Sequence, residues 1–292
     1  MTRSAVHPPD PSSLLDLAVG TATAAAELVA RGRASAGASV DVKSSSVDVV
    51  TAVDTACEEL IVGRLLAARP DDGVLGEEGS SRDGTSGVRW IVDPIDGTVN
   101  FLYGLPQYAI SIAASIDDGP ETGVVAGIVV NVESGEVFAA TRGGGATCDG
   151  RPLRVRDVVP MPQRLVITGF SYVAAVRARQ AAAVASLVTE VRDIRRLGSA
   201  ALDLCAIAAG RADAYVEEGL NPWDVAAGGL VATEAGARLE IEAGVGGNDC
   251  VVCAPVAGYA DFAALVARCG FLDDASGRAP KRVPGNARWA AP

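Results

Sequence analysis

Two aspartates three residues apart, Asp93 and Asp96, are the side chains of this sequence best suited to hold a divalent cation. They lie in the segment Trp90–Phe101, whose first residues are apolar and predict the end of a buried strand. Because Pro94 disfavours helical geometry at Asp93, we expect the strand to finish there and the chain to turn sharply. Asp96 should then cap a short helix whose free N–H groups suit a phosphate. The segment therefore predicts Mg²⁺ held together with a phosphorylated ligand, against the simpler alternative of a solvated turn.

Further acidic residues stand at the ends of predicted elements, where side chains from different segments can converge. Glu77 and Glu78 follow a short apolar strand and point to opposite faces, so one of them can turn towards a cation. Asp54 is expected in the first turn of a helix opened by Thr51, where the helix dipole alone favours a carboxylate. Asp224 opens a helix rich in small residues, where a carboxylate is either a cap or a ligand.

The hexapeptide Asp-Pro-Ile-Asp-Gly-Thr at residues 93–98 resembles the signature of the inositol monophosphatase family. Gly-Glu-Glu at 76–78, Thr-x-x-Asp at 51–54 and Trp-Asp at 223–224 are similar to further motifs of that family, and the resemblance covers about residues 14–270. Tyr103 is a departure, since many relatives have histidine there. The resemblance implies an α/β fold of alternating layers, an αβαβα sandwich of the inositol monophosphatase and fructose-1,6-bisphosphatase type, usually as a homodimer.

The resemblance also implies roles for individual residues. The metal ligands would be Glu77, Asp93, the carbonyl of Ile95, Asp96 and Asp224. The catalytic residues would be Asp54, Glu77 and Thr98, and the substrate-binding residues Gly97, Thr98, Gly198, Ser199, Ala200, Glu217 and Asp224. Without the resemblance, Ser199 would be interpreted as an ordinary helix cap and Glu217 as a surface residue. Lys43 lies in a lysine and serine loop from which it could approach a phosphate, although a solvated loop lysine is the simpler interpretation.

Oxygen ligands without nearby histidine or cysteine favour Mg²⁺, or Mn²⁺ as a substitute, over zinc. Two such ions can clamp a phosphate and activate a water for in-line hydrolysis, so no side-chain nucleophile is required. The resemblance implies two or three ions and inhibition by Li⁺. We therefore predict hydrolysis of a small phosphorylated polyol, foremost myo-inositol 1-phosphate. The alternatives are another phosphomonoester, such as histidinol phosphate, a sugar 1-phosphate or fructose bisphosphate, and a regulatory protein that binds the transcription machinery.

The composition limits the partners. A chain of 292 residues, 49% hydrophobic and 21% charged, is expected to bury a full core. Its net charge of −11 argues against a nucleic-acid or anionic membrane surface, although bound cations would reverse the local sign for an anionic substrate. The single histidine, His7, lies in a proline-rich leader, which argues against a histidine base. Six cysteines in predicted core segments, with neither a signal-peptide pattern nor an apolar run of membrane-spanning length, predict a cytoplasmic protein with reduced thiols.

The pattern of elements predicts one catalytic domain over residues 13–272, with halves at about 13–150 and 151–272. A disordered leader is expected over 1–12 and a disordered tail over 273–292. Strands at 109–116, 123–131 and 136–141 are joined by short turns, which predicts antiparallel pairing. Further strands are expected at 151–159, 165–168 and 192–197, and helices at 174–191 and from Ser199 onward.

Overall fold

The computed structural model describes residues 10–38, 46–116, 122–273 and 281–282. In chain order their elements are α1 (Pro11–Ala38), α2 (Ser46–Ala68), β1 (Gly73–Gly76), β2 (Ser81–Arg82), β3 (Val88–Asp96), α3 (Thr98–Tyr103), β4 (Ala109–Ile116), β5 (Gly123–Asn131), β6 (Val137–Thr141), β7 (Gly145–Cys148), β8 (Arg151–Pro152), β9 (Leu165–Thr168), α4 (Ala174–Leu187), β10 (Asp193–Arg195), α5 (Ala200–Ala208), β11 (Ala214–Glu218), α6 (Pro222–Glu234), β12 (Ala237–Ala243), β13 (Asp249–Pro255), α7 (Tyr259–Arg268) and β14 (Lys281–Arg282).

Two sheets alternate with three layers of helices. The first sheet has the strand order β2-β1-β3-β4-β5-β6-β7-β8, and the second has the order β10-β9-β11-β13-β12-β14. Helices α1 and α2 cover one face of the first sheet, α5 and α6 lie between the sheets, and α4 and α7 cover the outer face of the second. Each of the four boundaries between layers contains its own apolar cluster. The predicted αβαβα sandwich is confirmed.

The central strands are apolar on both faces because each face is covered by helices. In β4, Ile110 and Ile112 point towards α1 and α2, while Ala109 and Ala113 point towards α5 and α6. The pairs β3·β4, β4·β5 and β5·β6 are all antiparallel, as the short turns predicted. Strands β4, β5 and β9 also have the predicted ends.

Helix α1 packs against the first sheet through residues spaced at helical intervals. Leu14, Ala18, Ala22, Ala25 and Val29 are at most 1% exposed. Among the described residues, the portion 11–34 is by length and composition the one helical stretch apolar enough to cross a membrane, and a third of its most apolar window is buried inside the protein. The core helix of a globular protein and a signal sequence near an N-terminus both meet the same criterion.

Helix α2 begins earlier than the sequence predicted. It starts at Ser46, so Thr51 is not its cap and Asp54 lies in its interior rather than in its first turn. The valine-rich residues are helical because the preference of valine for an extended conformation is weak. Cys57, Ile61 and Leu65, spaced four residues apart, lie on the fully buried face of this helix.

Strand β3 continues past the predicted end at Asp93 and finishes at Asp96. Asp93 pairs with Ser111 and Asp96 with Ala109, so the two residues between the aspartates face a single residue of β4. Such a bulge is expected at Pro94, which has no N–H to donate to the ladder. Gly97, with a φ of 94°, takes the cap position of α3, and the prediction that Asp96 caps this helix was wrong.

Other predictions also differ from the structure. The helix predicted at 174–191 ends at Leu187, and the strand predicted at 192–197 is limited to Asp193–Arg195. Only Arg151–Pro152 of the predicted strand 151–159 is extended in a sheet. The expected leader, 1–12, overlaps the start of α1 at Pro11, and its first nine residues lie outside the described part. Within the expected tail, Lys281–Arg282 form β14 and pair with β12, so edge pairing gives this short piece a place in the second sheet.

The middle helices approach their neighbours closely at glycines. A Cβ on Gly127 of β5 would lie 3.0 Å from Cα of Ala227 in α6. A Cβ on Gly228 of α6 would lie 2.8 Å from the carbonyl oxygen of Ala201 in α5. These contacts are with backbone atoms, so the absence of side chains sets the spacing between α6, α5 and the first sheet.

We expect Gly228→Ala to lower the free energy of unfolding by about 1–3 kcal/mol, because the added methyl group overlaps the backbone of α5. Gly229→Ala is the matched control: its Cβ would meet a side-chain atom, Cδ1 of Leu239, at 3.3 Å rather than backbone, and alanine favours a helix. Urea denaturation of the two variants measures the difference. Equal stability of both variants would contradict this account of the packing.

Candidate metal centre and substrate pocket

Three carboxylates from two elements meet at the end of β3. One oxygen from each of Asp93, Asp96 and Asp224 lies within 4.8 Å of the other two. The bulge of β3 supplies the first two side chains, and α6, packed across β3, β4 and β5, brings the third at its first turn. Oδ2 of Asp224 accepts the N–H of Asn221 at 2.6 Å, which fixes its side chain. Three of the predicted metal ligands are therefore close together.

Asp96 connects the first sheet to the middle helices. Its Oδ2 accepts the hydroxyl of Ser199 at 2.5 Å and the N–H of Ala201 at 2.8 Å. Ser199 caps α5 as predicted, since its hydroxyl also accepts the N–H of Leu202. The carboxylate predicted to cap α3 therefore interacts with the start of a helix about a hundred residues later.

The turn after β1 carries Glu77 to Asp93. The N–H of Glu77 donates to the carbonyl of Val92 at 3.2 Å, and the carboxylate of Glu77 is close enough for its charge to raise the pKa of Asp93. Glu58, buried in α2, holds the same turn by accepting the N–H groups of Glu78 at 2.9 Å and Ser80 at 2.8 Å. The sequence analysis missed Glu58, although its position four residues after Asp54 places the two on one face of α2.

Asp54 is 3% exposed but is not one of the three converging carboxylates. The acidic groups that act on it most strongly are Glu78, Glu77 and Glu58. One turn further along α2, the thiol of Cys57 donates to the carbonyl of Pro94 at 3.5 Å and so joins this helix to the bulge of β3. Asp54 thus lies on the Glu77 side of the site.

The turns that start α3 and α5 touch each other. The hydroxyl of Thr98 donates to the carbonyl of Ile95 at 3.1 Å. A Cβ on Gly97 would lie 3.1 Å from the carbonyl oxygen of Gly198 and 3.3 Å from Cβ of Ser199. The predicted phosphate turn and the predicted substrate turn are therefore neighbours. Lys43 lies outside the described residues.

Glu217 is held in β11 by two features. The hydroxyl of Tyr215 donates to its Oε2 at 2.8 Å, and a Cβ on Gly169 would overlap its carboxylate. Ala200, the first residue of α5, is buried nearby in the apolar cluster that contains Tyr215. Asp203, one turn into α5, was missed by the sequence analysis. It is 1% exposed, and neither of its carboxylate oxygens has a hydrogen-bond partner in the described part of the chain.

Burial and mutual repulsion make the converging carboxylates reluctant to ionise. Burial raises the pKa of Asp93 well above its usual range, and the charges of Glu77, Asp96 and Asp224 raise it further. Burial, followed by the charge of Asp96, has the same effect on the pKa of Asp224. Burial raises the pKa of Asp96 to about 6 in spite of the hydrogen bonds from Ser199 and Ala201. The positive charge of Arg196 lowers the pKa of Asp96 but does not offset the effect of burial.

The outlying acids have raised pKa values as well. Burial and then the charges of Glu78 and Glu77 raise the pKa of Asp54 from 3.8 to about 8. Burial raises the pKa of Glu217 from 4.5 to about 7, against the opposing effect of the hydrogen bond from Tyr215. Glu77 has exposed surface, yet burial of its carboxyl group is the main cause of its raised pKa.

The residues present fit a hard divalent cation. Asp93 Oδ1 is buried and has no hydrogen-bond partner in the described residues, an arrangement that costs about 1–3 kcal/mol unless something binds there. The converging donors are all carboxylate oxygens, which suit Mg²⁺ or Mn²⁺. A cation would also relieve the repulsion that raises the pKa values.

The sequence profile of the inositol monophosphatase family matches residues 10–262. The chain belongs to this family. It is 44% identical over 267 residues to the inositol-1-monophosphatase of Mycobacterium leprae (strain TN), an alignment that covers 84% of this chain and 90% of that protein. It is 39% identical over 229 residues to Nus factor SuhB of Escherichia coli (strain K12), covering 76% of this chain and 83% of the relative.

A solved structure agrees with the family assignment. Mycobacterium tuberculosis SuhB superposes with a TM-score of 0.78 at 41% identity, covering 90% of this chain and 99% of that one. Relatives of this inositol monophosphatase family member therefore carry two kinds of name, inositol-1-monophosphatase and Nus factor SuhB.

We expect Glu58→Ala to loosen the turn that carries Glu77 in this family member, because two backbone N–H groups lose a charged acceptor. The free energy of unfolding should fall by about 2–3 kcal/mol, and more Mg²⁺ should be needed to restore thermal stability. The exposed neighbour Glu59→Ala is the control and should change stability by less than about 0.5 kcal/mol. Thermal unfolding with increasing Mg²⁺ measures both effects; identical curves for the two variants would refute this role of Glu58.

Without divalent cations, the protein should lose stability as the pH rises. Between the ordinary value of 3.8 and the folded value of about 8, Asp54 binds more protons in the folded state than in the unfolded state, so the free energy of unfolding decreases with pH. Glu217 contributes in the same direction between 4.5 and about 7. Urea denaturation in EDTA at pH 5 and pH 8 tests the sign.

Addition of Mg²⁺ at pH 8 should restore stability, since an ion bound only by the folded state shifts the equilibrium towards it. Glu217→Gln serves as a partial control, because it should flatten only the part of the curve below pH 7. A stability in EDTA that is the same at pH 5 and pH 8, or higher at pH 8, would show that these carboxyl groups do not titrate as described.

Proposed function

We propose that this protein hydrolyses a small phosphomonoester with the help of Mg²⁺, foremost myo-inositol 1-phosphate. The observation that carries the proposal is the convergence of three carboxylates, one with a buried unpartnered oxygen, beside two helix starts. Membership of the inositol monophosphatase family supports the same chemistry.

Two or three Mg²⁺ ions, or Mn²⁺ in their place, would be held by residues from both halves of the chain. Glu77, Asp93 and the carbonyl of Ile95 would hold the first ion, and Asp93, Asp96 and Asp224 the second. When bound, the ions supply Lewis acidity towards the phosphate and lower the pKa of a coordinated water. Inhibition by Li⁺ and a homodimer remain predictions from the family resemblance.

The protein's own groups would orient the reactants. The amides of Gly97 and Thr98 would bind the phosphate, and Asp54 with Thr98 would orient the attacking water. The hydrogen bond from Thr98 to the Ile95 carbonyl supports this role, because it fixes the hydroxyl beside a proposed metal ligand. A reaction through water agrees with the absence of histidine beyond His7 in the sequence.

On the substrate side, Glu217 would accept a hydrogen bond from a substrate hydroxyl, with Asp224, Gly198, Ser199 and Ala200 lining the same pocket. Glu217 is suited to this because Tyr215 and Gly169 hold its carboxylate in one place. A fixed acceptor favours a polyol over an alcohol without further hydroxyls. Other phosphate esters, such as histidinol phosphate, a sugar 1-phosphate or fructose bisphosphate, remain alternatives.

Phosphate release from a panel of phosphomonoesters with Mg²⁺ tests the reaction. We expect Asp93→Asn to lower kcat/KM by at least about a hundredfold, because it removes a charged ligand shared by both ions. The control is Asp157→Asn, an exposed carboxylate paired with Arg154, which should leave activity unchanged. Preference for another ester would change the proposed substrate but keep the mechanism. No phosphate release from any ester would overturn the proposal that the protein is a phosphatase.

A regulatory role is the second candidate, and the name Nus factor SuhB of the E. coli relative favours it. Under this proposal the chain would bind the transcription machinery whether or not it is catalytic. Retained binding of the Asp93→Asn protein to purified RNA polymerase would support the role, and the absence of binding by either form would exclude it for this partner.

A further inference from the structure

Arg196 is a positive charge that acts on the acidic substrate side of the site. Burial raises the pKa of Asp96, Asp203 and Glu217, and the charge of Arg196 opposes each of these rises. Its side chain is exposed on the surface of the single chain. The residue was not among those that the sequence analysis selected.

The guanidinium lies beside the turn of Gly198. A Cβ on Gly198 would overlap Nη1 of Arg196 and would lie 2.9 Å from Nδ2 of Asn100. That amide is itself fixed, since it donates to the carbonyls of Gln107 and Leu197, each at 2.7 Å. The carbonyl of Gly198 touches Gly97, as described above. Arg196 therefore lies beside the Gly198 turn, and that turn contacts the Gly97 turn proposed to bind phosphate.

Neighbouring arginines already have carboxylate partners, whereas Arg196 has none within ion-pair distance in the described part of the chain. Arg195 pairs with Asp193 at 2.5 Å, and Arg211 pairs with Glu136 through two hydrogen bonds. Both line a different cavity, next to Phe138. The planar guanidinium of Arg196 can thus bind an anion through two parallel hydrogen bonds.

The ligand group that suits Arg196 is neither the transferred phosphate nor a hydroxyl. The transferred phosphate is assigned to the metal ligands and to the amides of Gly97 and Thr98, and Glu217 already provides an acceptor for hydroxyl groups. Without the guanidinium of Arg196, Asp203 and Glu217 would repel an anion at this place. The positive charge of Arg196 therefore matters most for a substrate with a second negative group.

We propose that Arg196 is a specificity-determining residue that binds a second anionic group, a carboxylate or phosphate, on the alcohol part of the substrate. The inference rests on the proposed phosphatase function. It predicts that Arg196 raises kcat/KM for phosphomonoesters that carry an additional negative charge.

The test compares two esters that differ in one group. Glucose 1-phosphate and glucuronic acid 1-phosphate share the ring and the scissile ester, and the second carries a carboxylate in place of the 6-hydroxymethyl group. Steady-state kinetics with Mg²⁺ are measured for the wild type, Arg196→Ala, Arg196→Lys and the matched control Arg195→Ala.

We expect Arg196→Ala to lower kcat/KM for the uronic acid ester by about tenfold more than for glucose 1-phosphate, the value of one charge-assisted contact near the surface. Arg196→Lys should recover part of this difference, and Arg195→Ala should leave the ratio of the two substrates unchanged. An equal loss for both esters would mean that Arg196 only offsets the neighbouring carboxylates and would overturn the proposal, as would no loss for either.

Hydrolysis of neither ester by the wild type would count against the proposed function for sugar phosphates, separately from Arg196. In that case isothermal titration calorimetry of the same esters with Mg²⁺ decides the inference. A lower affinity of Arg196→Ala for the uronic acid ester alone would support it. Equal affinities of wild type and variant, or binding of neither ester by the wild type, would overturn it.

Discussion

The hydrogen bonds that Asp96 accepts from Ser199 and Ala201 are the interaction on which the site depends. Asp96 ends a strand of the first sheet, and the two donors begin a helix of the middle layer. One carboxylate therefore sets the distance between the turn at Gly97 and the turn at Gly198. Because both turns belong to the proposed site, its shape follows from how the first sheet packs on α5.

This arrangement places negative charge where the fold alone would not stabilise it. Acidic groups are buried near one another, and their raised pKa values show that burial opposes ionisation more strongly than the available hydrogen bonds favour it. A protein selected only for stability would place apolar residues at such positions. The conflict is resolved if cations complete the structure, so folding and function would then rely on the same ions.

The sequence was sufficient to predict the layered fold and the convergence of Asp93, Asp96 and Asp224, because its motifs resemble those of the inositol monophosphatase family, which implies both. It failed where contacts between distant segments decide local structure. Asp96 takes a partner in α5 rather than in the nearer α3. Glu58 and Asp203 resemble ordinary helix residues until the fold surrounds them.

Three glycines of the site share one property, which Gly104, Gly244 and Gly246 elsewhere in the chain also have. The space that a side chain would occupy is filled by a charged group of another residue: Glu58 at Gly76, Glu217 at Gly169 and Arg196 at Gly198. Gly20 and Gly63, in contrast, have nothing within 4 Å of that position. Across related sequences, we therefore expect substitutions at Gly20 and Gly63 but few at Gly76, Gly169 and Gly198, where even one methyl group would displace a charged side chain.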